Sequence, residues 1–482
     1  MTVATDASQD QARYTEARLV HWEAMARTVD RPSAGQYYHR RLADVYRAHV
    51  PSGQKVLEIG SGRGDILAAV GPSHGMGVDL SPGFVALARD RHPNLSFEVA
   101  DAHDLSALRG PFDVVILSDL LNDLWDVQKV FTQVARLSHS ATRVVINNYS
   151  RLWEPALAAA SRMKLARPTL HQNWLTVEDI SNLLYLANFE VVKHWQEVLW
   201  PVWTPGLDAF ANRFLVKLSP FNRLALTNFV VARPRARTPA AADRLRVSVV
   251  VPARNEAGNI EPIFNRTPEM GAGTEIVFVE GHSSDDTYKA IEQAIVRHPE
   301  RRTQLFRQEG MGKGDAVRLG FAKATGDVLM ILDADLTVAP EDLPRFFDAL
   351  RCGDAEFGNG VRLVYPMEKE AMRFFNLIGN KFFSLAFSWL LGQSIKDTLC
   401  GTKVLTRDNY ERIAANRAYF GDFDPFGDFD LLFGAARLSL RIVDLPVRYR
   451  ERTYGTTNIQ RWRHGWLLLR MVLFAARRLK FV

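Results

Sequence analysis

Two successive runs of short apolar segments, each alternating with helical segments, constrain the fold more than any other feature of this sequence. The first run has β-type segments at 55–59, 75–79, 95–99, 112–117 and 143–147, with a late one at 224–232. The second run has them at 246–251, 275–279, 303–306 and 328–332. Strands that alternate with helices favour parallel sheets covered by helices. We therefore expect an α/β protein with two sheets.

The length of the chain and the stretch between the two runs predict separate domains. A chain of 482 residues is long for a single hydrophobic core. The stretch 233–243 is rich in proline, alanine and charge and has no periodicity, which is typical of a linker. We predict a helical extension at 1–34, a first domain at 35–233, a linker at 234–245 and a second domain at 246–482.

Composition excludes several classes of function. The two cysteines, Cys352 and Cys400, are far apart and match no metal-ligand spacing. A disulfide framework and a zinc site are therefore not expected, and a reducing compartment fits. The net charge of +6 is modest, but basic residues concentrate near the C-terminus and suggest an anionic partner there. No segment reads as a nucleic-acid module, so we expect no nucleic-acid partner.

A glycine-rich turn, Gly60-Ser-Gly62-Arg-Gly64, follows the first strand of the first run. Glycine at every second position lets the backbone turn tightly and approach a ligand closely. The next helix presents its N-terminus to that ligand. Glu58 ends the first strand, and Asp79 ends the second, where a carboxylate can accept hydrogen bonds from both ribose hydroxyls. The pattern indicates a nucleoside site.

These motifs and the strand order resemble a class I S-adenosylmethionine-dependent methyltransferase over roughly 35–233. Asp65 stands where the dinucleotide fingerprint has its last glycine, which distinguishes the turn from that of a nicotinamide enzyme. The resemblance implies a Rossmann-like fold and the cofactor S-adenosylmethionine. It also implies that the glycine turn lies against the methionine part of the cofactor. Asp79 then holds the ribose, and Asp101 with Ala102 lies beside the adenine.

A catalytic base for methyl transfer is hard to recognise in the sequence. The sulfonium is already a good electrophile, so placing the nucleophile in line does most of the work. Several polar residues beyond the fourth and fifth strands are candidates: Asp119, Asn122, Asp123, Tyr149 and His171. Alternatively, the first domain binds the cofactor without catalysing a reaction.

Three segments of the second run place polar residues at the carboxyl ends of strands or at the start of a helix. Open α/β sheets bind ligands at such positions. The segments are 252–256, 280–287 and 310–315. Their candidate binding residues are Pro252, Asn255, Glu256, Glu280, Asp285 and Lys313.

The strand at 328–332 delivers two carboxylates, Asp333 and Asp335, two residues apart. Side chains at i and i+2 lie on one side of an extended segment. Two hard oxygen ligands suit Mg²⁺ or Mn²⁺, which bridges a diphosphate and neutralises the charge of the leaving group. Two acids after a strand are often only a solvated turn, so the metal interpretation depends on the three preceding segments.

Together these segments resemble the family 2 glycosyltransferases of GT-A fold over roughly 246–482. The dolichyl-phosphate mannosyltransferase branch is the most similar, and its members move a sugar from a nucleotide donor to a polyprenyl phosphate. The resemblance implies that the three segments bind a nucleotide sugar. It also implies that Asp333 and Asp335 hold the metal at the catalytic centre, with inversion at the anomeric carbon.

Two further segments resemble acceptor-binding parts of that branch. The segment 395–403 makes Asp397 the first candidate for orienting the acceptor. Arg448, Arg450 and Arg452 alternate and can face a phosphate as charged forks. A phosphate acceptor is already an anionic nucleophile, whereas a hydroxyl acceptor needs a carboxylate that takes its proton. The sequence leaves this choice open, and Asp428 and Asp430 are the next candidate carboxylates.

Two segments predict contact with a membrane surface. Residues 372–391 are rich in aromatics with polar positions at helical spacing, and 461–482 combine tryptophans and leucines with six lysines or arginines. Amphipathic basic helices of this kind lie in the plane of a membrane surface. No apolar run reaches the ~18 residues of a span, and the N-terminus lacks the apolar core of a signal peptide. We expect a cytoplasmic protein attached peripherally to the inner face of the membrane. Packing of both helices on the core or on another subunit is the alternative.

Three functions are compatible with these patterns. The leading one is a bifunctional enzyme that transfers a sugar to a lipid-linked or glycan acceptor and a methyl group in the same pathway. The second is a glycosyltransferase whose N-terminal half is a binding or regulatory module. The third, a non-enzymatic membrane scaffold, fits the motifs poorly.

Overall fold

A computed structural model describes residues 2–27, 35–163, 170–235, 244–362, 374–419, 429–450, 452, 454 and 461–481. The chain divides into two compact units, one of residues 1–235 with 481–482 and one of residues 236–480. The division lies inside the predicted linker, most of which is outside the described residues. The predicted domain limits themselves stay a prediction.

Within its described residues, the first unit contains seven strands and eight α-helices. The strands are β1 (Lys55–Ile59), β2 (His74–Asp79), β3 (Ser96–Val99), β4 (Phe112–Ser118), β5 (Ser138–Tyr149), β6 (Phe189–Glu197) and β7 (Thr227–Pro234). The helices are α1 (Thr2–Ala26), α2 (Gly35–His49), α3 (Asp65–Ala69), α4 (Pro82–Arg91), α5 (Val127–Arg136), α6 (Glu154–Arg162), α7 (Val177–Leu186) and α8 (Leu207–Arg213).

The seven strands form one sheet in the order β3-β2-β1-β4-β5-β7-β6. Successive residues of its central strands pack on opposite faces. Leu57 and Val115 belong to one core, and Val56 and Val114 belong to the other. Strands buried on both faces need apolar residues at consecutive positions, and this explains the apolar runs in the sequence. β1 runs parallel to both β2 and β4, so the carboxyl ends of these three strands meet at one edge of the sheet.

The late strand of this unit departs from the parallel arrangement that the alternation of strands and helices favours. β7 runs antiparallel to both of its neighbours, β5 and β6. A buried strand has the same apolar pattern in either direction, so the sequence at 224–232 could not reveal this orientation.

In the described part of the second unit there are also seven strands and eight α-helices. The strands are β8 (Val247–Ala253), β9 (Thr274–Glu280), β10 (Arg302–Arg307), β11 (Val328–Ile331), β12 (Phe357–Val361), β13 (Lys403–Thr406) and β14 (Ile442–Pro446). The helices are α9 (Ile260–Arg266), α10 (Thr287–Arg297), α11 (Lys313–Lys323), α12 (Leu343–Arg351), α13 (Phe374–Leu391), α14 (Arg407–Ala415), α15 (Phe429–Arg437) and α16 (Arg461–Ala475).

The strand order of the second sheet is β10-β9-β8-β11-β13-β12-β14. β8, β9, β10 and β11 are parallel, as expected, and their carboxyl ends share one edge. β13 is antiparallel to β11 and β12, so this sheet is mixed as well. Three short strands, β12, β13 and β14, were not recognised in the sequence.

The segments expected to touch a membrane are helical where they are described. α13 covers the described part of the first segment, and α16 begins the second. Within the described parts of the chain, no helix combines the length and the apolar character needed to cross a bilayer. The amphipathic character of the C-terminal helix stays a prediction.

Candidate active sites

The glycine turn of the first unit has the backbone that its sequence predicts. Gly60, Gly62 and Gly64 have φ angles of 72°, 48° and 75°, a left-handed region that favours glycine. A Cβ at Gly64 would lie 2.5 Å from the ring of Phe97, whereas a Cβ at Gly62 would meet nothing within 4 Å. The turn therefore packs on its core at one end and borders open space in the middle.

One buried hydroxyl in this turn has no partner within the described residues. The Ser61 side chain is buried, and its Oγ makes no hydrogen bond there. Buried polar atoms are nearly always satisfied, so an orphaned hydroxyl between two glycines fits the contact of a polar ligand. The turn can accept the cofactor that the sequence implies.

Backbone N–H groups hold the two acidic residues that end β1 and β2. Asp79 accepts hydrogen bonds from the backbone nitrogens of Gly62 at 2.8 Å and Ser81 at 2.9 Å. Glu58 accepts one from the backbone nitrogen of Leu67 at 3.0 Å. Burial raises the pKa of both carboxyl groups. Asp79 thus lies against the glycine turn, while Glu58 supports the start of the following helix.

Asp101 is held by a single histidine. Its Oδ1 accepts from the backbone nitrogen of His103 at 2.9 Å and lies 2.7 Å from the Nδ1 of the same residue. The Nε2 of His103 accepts from the backbone nitrogen of Asp126 at 3.1 Å. Burial opposes ionisation of Asp101, but the hydrogen bonds from His103 outweigh it and lower the pKa.

Asp119 lies in a cage of polar side chains just beyond β4. Tyr38 donates to both carboxylate oxygens at 3.0 Å, and Asn147 Nδ2 donates at 2.6 Å. The ring of Tyr149 stacks on Tyr38 with 5.8 Å between centroids. Burial raises the pKa of Asp119 to about 7, although the hydrogen bonds oppose the rise. The backbone of Asp119 has a φ of 51°, which marks strain at this position.

The other base candidates of the first unit lie in different settings. Asn122 is buried and donates to the carbonyl oxygen of Asn173 at 2.8 Å. The indole of Trp22 donates to Asp123 at 2.8 Å, and Arg18 forms an ion pair with the same carboxylate at 3.4 Å. The structure thus brings Asp119 and Tyr149 together, and Arg18 links Asp123 to the backbone of His171. His171 provides its backbone carbonyl to Arg18.

The helix α1 contributes side chains to this edge of the sheet, which sequence reasoning missed. Glu23 Oε1 accepts from the hydroxyl of Ser81 at 2.5 Å and from the backbone nitrogen of Gly83 at 2.7 Å. Ser81 and Gly83 lie two and four residues after Asp79 in the chain. The same helix reaches Asp123 through Trp22. Helix α1 is therefore packed against α4 and the residues beyond the carboxyl ends of the strands, and no local motif predicts such a contact.

In the second unit, Asp333 faces a lysine. The Nζ of Lys313 lies 2.7 Å from Oδ1 of Asp333. Burial alone would raise the pKa of this carboxyl, but the charge of Lys313, helped by Arg362 and Lys403, lowers it. The backbone of Gly401 is so close that a Cβ there would overlap the carboxylate of Asp333.

Arg452 bridges Asp335 and Glu256. Its Nη2 lies 2.6 Å from Oδ2 of Asp335, and its Nη1 lies 3.0 Å from Oε1 of Glu256. Thr337 donates to the other oxygen of Asp335 through its backbone nitrogen at 3.1 Å and its hydroxyl at 2.9 Å. Burial raises the pKa of Glu256, although Arg452 opposes the rise. Leu336, next to Asp335, has a φ of 54°.

The loops after β8 and β9 are tied together. The side-chain oxygen of Asn255 accepts a hydrogen bond from the backbone nitrogen of Ser284 at 2.7 Å. The backbone nitrogen of Asn255 donates to Ser283 Oγ at 3.1 Å. Asp285 accepts from the backbone nitrogen of Thr287 at 3.0 Å and from Tyr454 Oη at 3.5 Å. Burial alone would raise the pKa of Asp285, but the hydrogen bonds from Thr287 outweigh this effect and lower the pKa.

The remaining two donor-site candidates lie at the ends of the same strands. Glu280 is buried and accepts from the backbone nitrogen of Ser283 at 2.5 Å. Pro252 is the second-last residue of strand β8 and is half-buried. Hydrogen bonds between the loops after β8 and β9 thus fix the positions of Asn255 and Glu280 relative to each other.

Asp397 has a different setting from the one expected for a residue that contacts an acceptor. It is fully buried, and Arg362 donates to its two oxygens from Nε at 2.7 Å and from Nη2 at 2.9 Å. The backbone nitrogen of Leu399 donates to it at 3.0 Å. Burial would raise the pKa of Asp397, but the guanidinium of Arg362 lowers it. Arg362 also lies over the ring of Tyr449 at 5.1 Å.

The three alternating arginines separate into two groups. Arg448 and Arg450 are exposed, whereas Arg452 faces the acidic residues described above. Asp430 is buried and pairs with Arg417 at 2.8 Å, and Asp428 lies outside the described residues. Among the described residues, no group of three or more histidine, cysteine or acidic side chains is arranged to hold a metal ion.

Comparisons with known protein families agree with this geometry. Residues 248–413 match the family model described as "Glycosyl transferase family 2", and residues 33–194 match the one described as "Methyltransferase domain". These matches confirm both resemblances. Each match lies within one unit, so the two units match two different domain families.

Curated relatives resemble part of the chain. A dolichol-phosphate mannosyltransferase of Pyrococcus furiosus is 29% identical over 36% of this chain and 49% of its own length. A polyprenol monophosphomannose synthase of Mycolicibacterium smegmatis is 27% identical over 44% of this chain and 81% of its own. An undecaprenyl-phosphate 4-deoxy-4-formamido-L-arabinose transferase of Edwardsiella ictaluri is 35% identical over 43% and 61%. The chain spans about half the length of the Pyrococcus relative.

Proposed function

We propose that this chain, which joins a methyltransferase domain to a family 2 glycosyltransferase domain, is a bifunctional enzyme. Its second unit transfers a sugar from a nucleotide donor to a lipid-linked acceptor, and its first unit transfers a methyl group from S-adenosylmethionine. The observation that supports this most is the cluster of Asp333, Asp335, Lys313 and Arg452, of which the first three lie in the segment 248–413 that matches the glycosyltransferase family.

Alternating acids and cations suit a nucleotide diphosphate bound with a metal. Asp333 and Asp335 offer hard oxygens of the kind that Mg²⁺ and Mn²⁺ prefer. These two carboxylates would hold the ion together with the diphosphate of the donor, and the ion would neutralise charge on that diphosphate. Lys313 and Arg452, which pair with these acids, can turn to the phosphate oxygens once the ion takes their place.

The acceptor is proposed from the chemistry of the relatives. All three relatives described above carry a polyprenol- or polyprenyl-phosphate acceptor in their names. We assign Asp397 as a positioning residue that fixes the guanidinium of Arg362, because both of its oxygens are engaged there. Arg362, and with it the exposed Arg448 and Arg450, are the cations that we propose for an acceptor phosphate.

The methyltransferase unit offers one carboxylate suited to proton transfer. A pKa of about 7 makes Asp119 a proton acceptor that is ionised near neutral pH. We propose that it takes the proton from a hydroxyl acceptor as the carbon–oxygen bond forms, with Tyr38 and Asn147 fixing its orientation. The glycine turn and Asp79 would hold the cofactor.

We further propose that the glycosyltransferase unit attaches peripherally to a membrane. Phe382, Leu385 and Trp389 of α13 are exposed, and so is Trp466 of α16. The ammonium of Lys480 lies 5.2 Å from the centre of the Trp389 ring. Exposed aromatics beside basic groups are the side chains that anchor helices at lipid headgroups.

A donor screen tests the glycosyltransferase assignment. The full chain with Mn²⁺ and a short-chain polyprenyl phosphate is incubated with a panel of nucleotide sugars, and nucleotide release and lipid mass are followed together. We expect one donor to give a metal-dependent mass gain of one sugar that Asp335→Ala abolishes. Nucleotide release without a new lipid would exclude the polyprenyl phosphate, and no signal with any donor would contradict the assignment.

A second assay distinguishes the bifunctional enzyme from a glycosyltransferase with a regulatory N-terminal domain. Lipid extract from cells that lack the gene is incubated with the full chain and S-adenosylmethionine labelled on its methyl group. Incorporation that Asp79→Asn removes supports methyl transfer. Cofactor binding without incorporation, together with altered glycosyl transfer, would favour the regulatory module.

A further inference from the structure

A cluster of exposed apolar side chains occupies one part of the methyltransferase unit. Of the 25 large apolar side chains that are exposed in the described residues, nine lie between positions 200 and 224. Trp203 is 63% exposed and Phe210 is 53% exposed. We call this part of the molecule the 200–224 surface. Large apolar patches of this kind usually mark a site of protein or membrane contact.

The exposure of this surface follows from how its helix packs. Leu207 and Phe210 of α8, and Phe214 directly after it, recur at helical spacing on the outer side, while Asp208 and Ala211 are buried on the inner side. The apolar face of this helix thus points away from the core to which its inner face is fixed.

The segment that carries the surface is also firmly attached. Asn212 accepts from the backbone nitrogen of Trp200 at 2.8 Å and donates to its carbonyl oxygen at 2.7 Å. Phe481, which belongs to the same compact unit, lies against Phe214 with 5.3 Å between ring centroids and leaves that ring 41% exposed. The surface is therefore a built feature of the unit and remains open.

The charges on the 200–224 surface select the kind of partner. Its only carboxylate, Asp208, is buried, and Lys217 is buried against Glu197. The charged side chains that remain exposed are Arg213 and Arg223. A surface of aromatic and leucine side chains whose exposed charges are all positive is complementary to anionic lipid headgroups over an acyl layer.

The same chemistry continues beyond the segment. The indole of Trp153 donates to the carbonyl oxygen of Leu224 at 2.9 Å, which joins the 3₁₀ turn at Arg151–Trp153 to the surface. Arg151 and Leu152 of that turn are both exposed. Another arginine and another apolar side chain thus extend the surface at this end.

We propose that the 200–224 surface docks on an anionic lipid membrane, so that the methyltransferase unit makes its own membrane contact. The proposal rests on the proposed function, because a lipid-linked substrate has to be reached at a membrane. It adds a contact in a part of the chain where the sequence predicted none. Both catalytic units then meet their substrates at the same lipid surface.

Vesicle binding of the full chain tests the proposal. Vesicles of phosphatidylcholine alone and of phosphatidylcholine with phosphatidylglycerol are compared by flotation. Because two large apolar side chains leave the lipid, we expect the double variant Trp203→Ser/Phe210→Ser to bind the anionic vesicles about tenfold more weakly. The variant Arg213→Gln/Arg223→Gln should lose roughly tenfold on the anionic vesicles and little on the neutral ones.

Three controls make the result decisive. Val296→Ser, at an exposed valine of α10, should bind as the wild type does. Unchanged cofactor affinity and thermal unfolding show that the exposed substitutions leave the fold intact. The pair Phe382→Ser/Leu385→Ser measures the separate contribution of α13. Wild-type vesicle binding in the 200–224 variants, with loss only in the α13 pair, would overturn the proposal and leave the peripheral attachment of the glycosyltransferase unit standing.

Two further outcomes are distinguished. If the wild type self-associates and Trp203→Ser/Phe210→Ser becomes monomeric without a change in vesicle binding, the surface is a protein interface and the proposal is overturned. Glycosyl transfer to a short-chain, water-soluble polyprenyl phosphate is measured in the same variants. Its absence in the wild type would contradict the proposed function whatever the vesicles show.

Discussion

The two active-site regions use the same kind of sheet edge but hold their carboxylates in opposite ways. Asp79 is held by backbone N–H groups and Asp119 by neutral side chains, and burial raises the pKa of both. Asp333 pairs with Lys313, which lowers its pKa, and Asp335 pairs with Arg452. Asp79 and Asp119 keep their negative charge without a cationic partner, whereas Asp333 and Asp335 are each balanced by a cation.

This difference matches the charges of the proposed ligands. S-adenosylmethionine carries a positive sulfonium and neutral ribose hydroxyls, so acids held by N–H and hydroxyl groups suit it. A nucleotide diphosphate is strongly negative, and an unbalanced pair of acids would repel it. The cations of the second site allow the anion to approach, and a metal ion can then replace them at the acids. The comparison thus predicts that each acid matters for one ligand only.

The largest effect is expected for Asp335→Asn. Loss of one of the two acidic metal ligands removes charge stabilisation of the leaving diphosphate, so glycosyl transfer should fall about a thousandfold. Steady-state rates with the donor found in the screen measure this fall. Asp348→Asn, on the exposed face of α12, makes the same chemical change and should have no effect. Equal losses in both variants, or loss of methyl transfer in Asp335→Asn, would break the comparison.

The next effect is a change in pH dependence. Asp119 is protonated below its pKa of about 7 and cannot accept a proton there. Methyl transfer should therefore increase as the pH rises through about 7 and level off above it. In Asp119→Asn this rise should vanish, and the plateau rate should fall about a hundredfold. A pH–rate profile unchanged in the variant would show that Asp119 has no role as a base.

A smaller loss is expected for cofactor binding in Asp79→Asn. Charged hydrogen bonds to the ribose hydroxyls are replaced by weaker neutral ones, and the affinity should fall roughly thirtyfold. Calorimetric titration with S-adenosylmethionine measures it, with the exposed Asp90→Asn as the matched control. If Asp79→Asn binds the cofactor with wild-type affinity, Asp79 does not bind the ribose.

The smallest effect concerns the bridging arginine. Because Arg452 holds Asp335 and Glu256 together, Arg452→Gln should raise the KM for the donor about tenfold. Arg450→Gln, two residues earlier and exposed, should leave the donor KM unchanged. If both variants behave alike, the bridge is not part of donor binding.

Much of the fold could be predicted from the sequence because its strands are buried on both faces. Apolar runs such as those that became β8 and β11 are visible without any long-range information. Strand direction is not encoded in such a run, so the antiparallel direction of β7 was missed, whereas β13 was not recognised as a strand. Short strands of mixed composition, such as β14, carry no signal at all.

The site was predictable where function depends on local spacing. The glycine turn at 60–64 and the Asp333–Asp335 pair follow strands and can be read directly. Asp397 illustrates the limit, because its partner Arg362 lies 35 residues away in the sequence and no motif connects them. Glu23 is a further case, since its bonds to Ser81 and Gly83 depend on how α1 packs. The roles predicted for single residues stay predictions until the variants are measured.

The most direct test of two independent sites of opposite charge character is a crossed titration of the full chain. The wild type, Asp79→Asn and Asp335→Asn are each titrated with S-adenosylmethionine and, separately, with the nucleotide diphosphate of the donor in the presence of Mn²⁺. We predict that Asp79→Asn weakens only the cofactor and that Asp335→Asn weakens only the nucleotide. A variant that weakens both ligands, or a wild type that binds neither, would contradict the account.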